Sequence, residues 1–211
     1  MPTSPLRRRT VVHLALIGLA GAPIGALAAD PADPTGIAPI QRLYDALLVV
    51  MKAGPTVAFA QRYAQLDPTI GAVFDLEGIL QTSVGPSWEA LPADQQSALR
   101  AAFRRYTVAT YVSNFSEFDG QRFEILPTTR ALPNNDQVVT THIVPKSGDP
   151  HRLDYFMRQV NGTWQVVDVL ADGTISRVAV QRSDFRYELL RGGSAALVVS
   201  LQTKADELRG G

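Results

Sequence analysis

The sequence predicts an α+β fold, a four-stranded antiparallel sheet with several helices gathered over one face. Three observations point there. Apolar residues recur at helical spacing from Ile40 to about Phe115. The period then drops to two between Arg122 and Leu170. Helical spacing returns from Ile175 to the C-terminus.

Taken in order, the chain opens with Arg7, Arg8 and Arg9, an apolar run from Val11 to Leu27, and small residues at Ala26, Ala28 and Ala29. That order of basic, apolar and small-residue regions reads as a signal peptide over 1–28, with cleavage after Ala28. Pro23 and three glycines dilute the apolar run, which is marginal for spanning a hydrocarbon core of roughly 30 Å. Arg8-Arg9-Thr10-Val11-Val12 fits a twin-arginine core, and the general secretory route fits as well. Residues 29–36, rich in Pro and Asp, read as a flexible lead-in.

A single domain is then expected over 37–211. Ile40, Leu43, Tyr44, Leu47, Leu48 and Met51 form an amphipathic stripe that Gly54-Pro55 ends. A shorter helix is expected from Val57 to Leu66, ahead of Asp67-Pro68, and another from Asp75 to Val84. The longest runs from Pro92 to Phe115, with Pro92 and Asp94 suited to a helix start. Leu99, Phe103, Tyr106, Thr110 and Tyr111 trace its stripe, and Arg100, Arg104 and Arg105 read as a solvated basic face. Strands follow at 122–126, 137–144, 152–160 and 163–170, the last two joined by the hairpin signal Asn161-Gly162. Helices at 175–190 and 194–208 are separated by Gly192-Gly193.

Charge and residue types narrow the chemistry. Removing residues 1–28 takes away three of 20 basic residues and none of 20 acidic ones, leaving a net charge of −3. With lysine only at positions 52, 146 and 204, the chain lacks the basic patch that nucleic acid requires. It has no cysteine, so thiolate ligands and thiol nucleophiles are excluded. His142 and His151 have no partner at ligand spacing, and no glycine-flanked serine elbow or phosphate loop occurs. No metal, cofactor or catalytic set is expected. The one acid/base candidate is Asp154 with Tyr155, Asp168 and His142, should Asp154 sit in an apolar cone as a general base. Asp154 alternates with Leu153 and Tyr155, however, and can equally face water. Asp168, in a strand of Val and Leu, reads as a paired structural acid.

Apolar surface is what remains. The strands supply Phe123, Ile125, Val139, Ile143, Leu153, Tyr155, Met157, Trp164 and Val166, and the long helix supplies Phe103, Tyr106, Tyr111, Val112 and Phe115. Composition does not decide whether these fill a core or line a cavity.

Two ordered sets of motifs bear on that choice. One is Leu153-Asp154-Tyr155-Phe156-Met157, then Asn161-Gly162-Thr163-Trp164-Gln165-Val166-Val167-Asp168-Val169, Asp172-Gly173 and Gln181-Arg182-Ser183-Asp184-Phe185. The other runs from Phe74-Asp75-Leu76 through Gly85-Pro86-Ser87-Trp88 to Ala101-Ala102-Phe103-Arg104-Arg105-Tyr106. In these, residues of about 37–208 resemble the MlaC-type (toluene-tolerance) family of periplasmic phospholipid-binding proteins, including its hopanoid-associated HpnM branch. Gly173-Thr174-Ile175-Ser176 departs from the family's Gly-Val-Ser and leaves the branch open. The resemblance implies a curved sheet, similar to the nuclear-transport-factor type, enclosing an apolar cavity beneath helices. It implies a periplasmic carrier rather than an enzyme. Such a carrier moves phospholipid, or in the HpnM branch a hopanoid, between an outer-membrane lipoprotein complex and an inner-membrane ABC transporter complex. The fourteen apolar residues just named would be its ligand contacts.

Overall fold

The computed structural model describes residues 36–210. The expected signal peptide and all of the lead-in except Gly36 lie outside the described residues. Helix α1 (Ile37–Ala53) buries Ile40, Leu43, Tyr44, Leu47 and Met51 of the stripe read from the sequence, adds Val50 where Leu48 was expected, and ends at Gly54. Its start is pressed against Met157 and Trp164, where Gly36 takes a positive φ of 65°.

Helix α2 (Phe59–Val73) passes through Pro68, beyond the expected stop at Leu66. The proline removes one intrahelical bond, yet the extra turn buries Ile70 and Val73 completely, which holds it helical. Helix α3 (Leu76–Val84) is capped by Asp75, whose carboxylate accepts from the Gly78 N–H at 2.9 Å. A 3₁₀ turn over Gly85–Ala90 buries Trp88 and leads to α4 (Ala93–Asn114).

The arginines of α4 are not a solvated face. Arg100 bonds Glu77 of α3 at 2.5 Å and stacks over Trp88. Arg104 grips both oxygens of Asp67 in α2 at 2.8 Å. Arg105 pairs with Asp206 near the C-terminus. Each is roughly two-fifths exposed, so the pairs fix geometry more than they add stability.

The sheet is wholly antiparallel: β1 (Arg122–Ile125), β2 (Arg130–Ala131), β3 (Gln137–Val144), β4 (His151–Val160), β5 (Thr163–Ala171) and β6 (Ile175–Ser176). The four expected strands are present, together with two short ones. β2 joins the edge of β3 already bordered by β1, and β6 pairs with the end of β5. The order across the sheet is therefore β1-β3-β4-β5-β6. Asn161 and Gly162, both at positive φ, turn β4 into β5. Opposite the step Phe156/Met157 the register shifts and leaves Val167 of β5 as an extra residue, a bulge that bends the strand.

Helix α5 (Arg177–Gly210) is two arms that meet at Gly192-Gly193, with Gly193 at φ 67°. It begins two residues later than expected because Ile175 and Ser176 pair with Ala171 and Leu170. Phe185, Leu197 and Leu201 anchor the arms in the core that also contains Phe103, Tyr155 and Val166. Alternation puts Thr141, Val139, Tyr155 and Met157 on the helix-covered face of the sheet.

Candidate functional site

A cavity of about 310 Å³ lies between one end of the sheet, α4 and the start of α5. Its floor is Ile143 of β3, Leu153 and Tyr155 of β4, and Val169 and Ala171 of β5. Registry brings these together: Ile143 faces Phe123 across β1, Leu153 faces Ala171, and Tyr155 faces Val169. The roof is one stripe of α4, where Phe103, Tyr106, Thr107, Thr110, Tyr111 and Asn114 follow at helical spacing and Phe115 closes the end. Phe74, Leu76 and Ile79 form one side, Val178 and Gln181 the other.

Seven of the fourteen residues expected from the sequence border this space: Phe103, Tyr106, Tyr111, Phe115, Ile143, Leu153 and Tyr155. The other seven lie elsewhere. Val112, Val139, Met157 and Val166 are fully buried, and Trp164 nearly so, in the solid core. Phe123 and Ile125 pack against that core from β1. For the strand residues the cause is α1, whose start meets Met157 and Trp164 and which packs on β1.

Aromatic rings mark the border. Phe74 and Tyr111 have centroids 5.4 Å apart, Tyr111 and Phe115 6.0 Å, Phe115 and Phe123 5.9 Å. Phe123 stacks on Tyr44 of α1 at 4.3 Å, and Tyr44 meets Tyr155 edge-on at 6.1 Å. This chain of rings separates the cavity from the part of the sheet under α1.

Apart from Asp168 and Arg177, the lining is uncharged. The Tyr44 hydroxyl lies 2.5 Å from Thr141 Oγ1 and donates to the Tyr155 hydroxyl at 3.2 Å. Burial raises the pKa of Tyr44, partly offset by these two bonds. Burial is also the main cause that raises Tyr155 and Tyr111 well above the ordinary tyrosine value, with Tyr44 close by adding to both. All three stay neutral phenols at physiological pH.

Polar groups also line the cavity. Thr110 donates to the Tyr106 carbonyl of its own helix at 2.8 Å. Asp168 caps α5: one carboxylate oxygen accepts from the backbone N–H groups of Val169 (2.8 Å) and Val178 (3.1 Å), the other from the Ser176 hydroxyl at 2.6 Å. That is the paired structural acid read from the sequence. Asn114 and Arg177 border the cavity and are exposed, which places them at its mouth.

Asp154 does not enter the cavity. Between Leu153 and Tyr155 it points to the opposite face, where its carboxylate accepts from the Thr140 hydroxyl at 2.7 Å and from Arg152 at 2.8 and 3.1 Å. It is nearly inaccessible to solvent, so a general-base role in an apolar cone has no geometric support. His142 points to that same outer face, across from Arg152. Among the described residues no cluster of His, Asp or Glu could hold a metal ion, and no helix is long and apolar enough to cross a membrane. A second hollow, about 630 Å³, is an open groove between the arms of α5 edged by Glu188, Arg191, Lys204 and Glu207.

Several lining residues were not among the expected contacts. Leu76 and Ile79 were legible as a helix face and Val169 as a strand residue. Thr107 and Asn114 fall on the α4 stripe but are polar, so a search for apolar contacts passes over them. Arg177 carries no sequence signal, because its position depends on where β6 ends and α5 begins.

Fold and site together define an α+β pocket protein, a bent antiparallel sheet with a mainly apolar hollow under its helices. The chain belongs to the MlaC protein family, whose model matches residues 41–203. Among solved structures it is similar to a phospholipid-binding protein from Ralstonia solanacearum, in complex with a phospholipid, at a TM-score of 0.71 and 22% identity. The match covers 82% of this chain and 98% of that one. No curated protein matches it in sequence.

Proposed function

We propose that this protein is a periplasmic lipid carrier that withdraws a phospholipid from one membrane and delivers it to another. The observation that carries the reading is the cavity, about 310 Å³ of mainly apolar space in an MlaC-family fold. The phospholipid held by the Ralstonia protein of the same fold supports it.

The physical need is plain. A two-chain lipid exposes roughly 30 methylenes, and at about 0.8 kcal/mol each its transfer to water costs about 24 kcal/mol. Unassisted crossing of an aqueous gap is negligible at that cost. A carrier need only come close to matching the membrane, which an apolar enclosure does without catalytic groups. At roughly 30 Å³ per methylene-sized unit, the present volume takes about ten of them, some two-thirds of one acyl chain. A two-chain lipid then requires a wider cavity, which α4 can provide by moving off the sheet, since its main neighbours are α2, α3 and α5. An inner-membrane lipid ABC transporter complex and an outer-membrane lipoprotein complex, implied by the family resemblance, are the proposed partners.

Organic extraction and mass spectrometry of protein purified from a lipid-containing host test this reading. Glycerophospholipid near one per protein is the expected result, and a hopanoid in its place would assign the chain to the HpnM branch. A folded protein that is empty and also ignores added liposomes would refute it.

A further inference from the structure

We propose that Arg177, with Asn114 on the border of the same cavity, is a phosphate-recognition site that holds the headgroup of the bound lipid at the cavity mouth. The inference rests on the carrier reading and adds what selects the ligand's polar end.

Arg177 is exposed, borders the cavity, and makes no hydrogen bond or ion pair with any described residue. Other arginines close to the helices' contacts are engaged, Arg100 with Glu77, Arg104 with Asp67 and Arg105 with Asp206. The Asn114 amide, at the end of α4 and on the same cavity border, likewise has no side-chain hydrogen bond among the described residues. Together they offer a guanidinium fork and an amide donor that nothing described occupies.

The placement of Arg177 is also unfavourable for stability. It is the first residue of α5, at the positive end of the helix dipole, where a cation is disfavoured. The carboxylate that caps this helix, Asp168, accepts from Val169, Val178 and Ser176, and no ion pair joins it to Arg177. A cation held without a partner at a helix N-terminus, over an apolar hollow, matches one chemistry well: an anion attached to hydrocarbon. A guanidinium binds phosphate oxygens through paired hydrogen bonds. Seated there, the phosphate stays at the water boundary while the acyl chains run inward over Leu153 and Tyr155.

The test uses vesicles of uncharged galactolipid doped with isotopically labelled phosphatidylglycerol or, separately, labelled diacylglycerol with the same acyl chains. The purified protein, its Arg177→Gln variant and its Arg177→Lys variant are incubated with each, separated from vesicles, and counted for label. Thermal melts establish that all three fold alike. Arg177→Gln is expected to lower phosphatidylglycerol loading about tenfold, Arg177→Lys to retain much of it, and diacylglycerol loading to be equal in all three. Equal phosphatidylglycerol loading by Arg177→Gln and the parent overturns the headgroup site while leaving the carrier reading intact. A parent protein that loads neither lipid overturns both. If inorganic phosphate binds the empty parent but not Arg177→Gln, and lipid loading is unchanged by the substitution, the site serves free phosphate and the headgroup assignment fails.

Discussion

Under α1 the sheet meets Leu43, Tyr44 and Leu47, each fully or almost fully buried. Under α4 the same sheet meets a space of about 310 Å³. The strand residues beneath are of one kind throughout: Val139, Met157 and Val166 in the solid half, Ile143, Leu153 and Val169 in the hollow half. The roofing helices differ. The stripe of α1 is aliphatic apart from Tyr44 and drives into the sheet. That of α4 alternates rings with Thr107, Thr110 and Asn114, and its three arginines tie it sideways to α3, α2 and α5. A cavity results when a helix is held by its neighbours more firmly than it is drawn to the sheet.

The comparison can be broken at either half. Leu43→Ala should cost about 2–5 kcal/mol in a denaturant melt, because it empties volume in a packed interior. Leu153→Ala, which already borders space, should cost less than half as much; equal losses would mean the hollow is filled in solution. In the hollow half, Val169→Trp should plug the floor, leave stability within about 1 kcal/mol, and reduce lipid loading at least tenfold. Undiminished loading would place the ligand elsewhere.

Tyr44→Phe sharpens the border between the halves. It removes the hydroxyl that reaches both Thr141 and Tyr155 and should cost about 1–2 kcal/mol. Thr141 keeps its bond to the Leu153 carbonyl at 3.3 Å, which limits the loss. The buried phenols also set an alkaline limit. Their folded-state pKa values lie above the unfolded value of about 10, so above that pH the unfolded chain releases protons that the native state keeps. Stability is whole below pH 10 and should fall as pH rises beyond it; a flat profile to pH 11 would show the rings to be solvated.

The smallest effect is at the acid end. Arg100 holds Glu77 below the usual glutamate pKa by its hydrogen bond. The stability this adds is present above the unfolded pKa and is lost as pH falls through the folded one. Glu77→Gln should slightly lower stability in the neutral region and leave the most acid region unchanged, which flattens the acid limb of a pH–stability curve. A steeper limb would contradict the pairing.

Much of this was legible before any coordinates. Ile40 to Met51 gave α1 its buried face, and Asn161-Gly162 gave the hairpin, because each is a local pattern with one physical outcome. Pro68 misled in the ordinary way: burial of Ile70 and Val73 outweighs one missing hydrogen bond. The candidate site was half legible, and the reason is geometric. Alternation names the residues on the inner face of a strand, but not which of them another helix will cover. Met157 and Leu153 are equivalent in that pattern; only the path of α1 makes one core and the other cavity wall. Arg177 required the β6–α5 junction to be seen.

The most direct test is a phospholipid carrying a photoreactive group at the end of one acyl chain, loaded onto the protein, irradiated, and mapped by peptide mass spectrometry. Attachment should fall on Leu153, Tyr155, Ile143 and the facing turn of α4 from Phe103 to Tyr111. Attachment confined to the groove between the arms of α5, or to no residue of the cavity, would contradict the claim that this hollow holds the lipid.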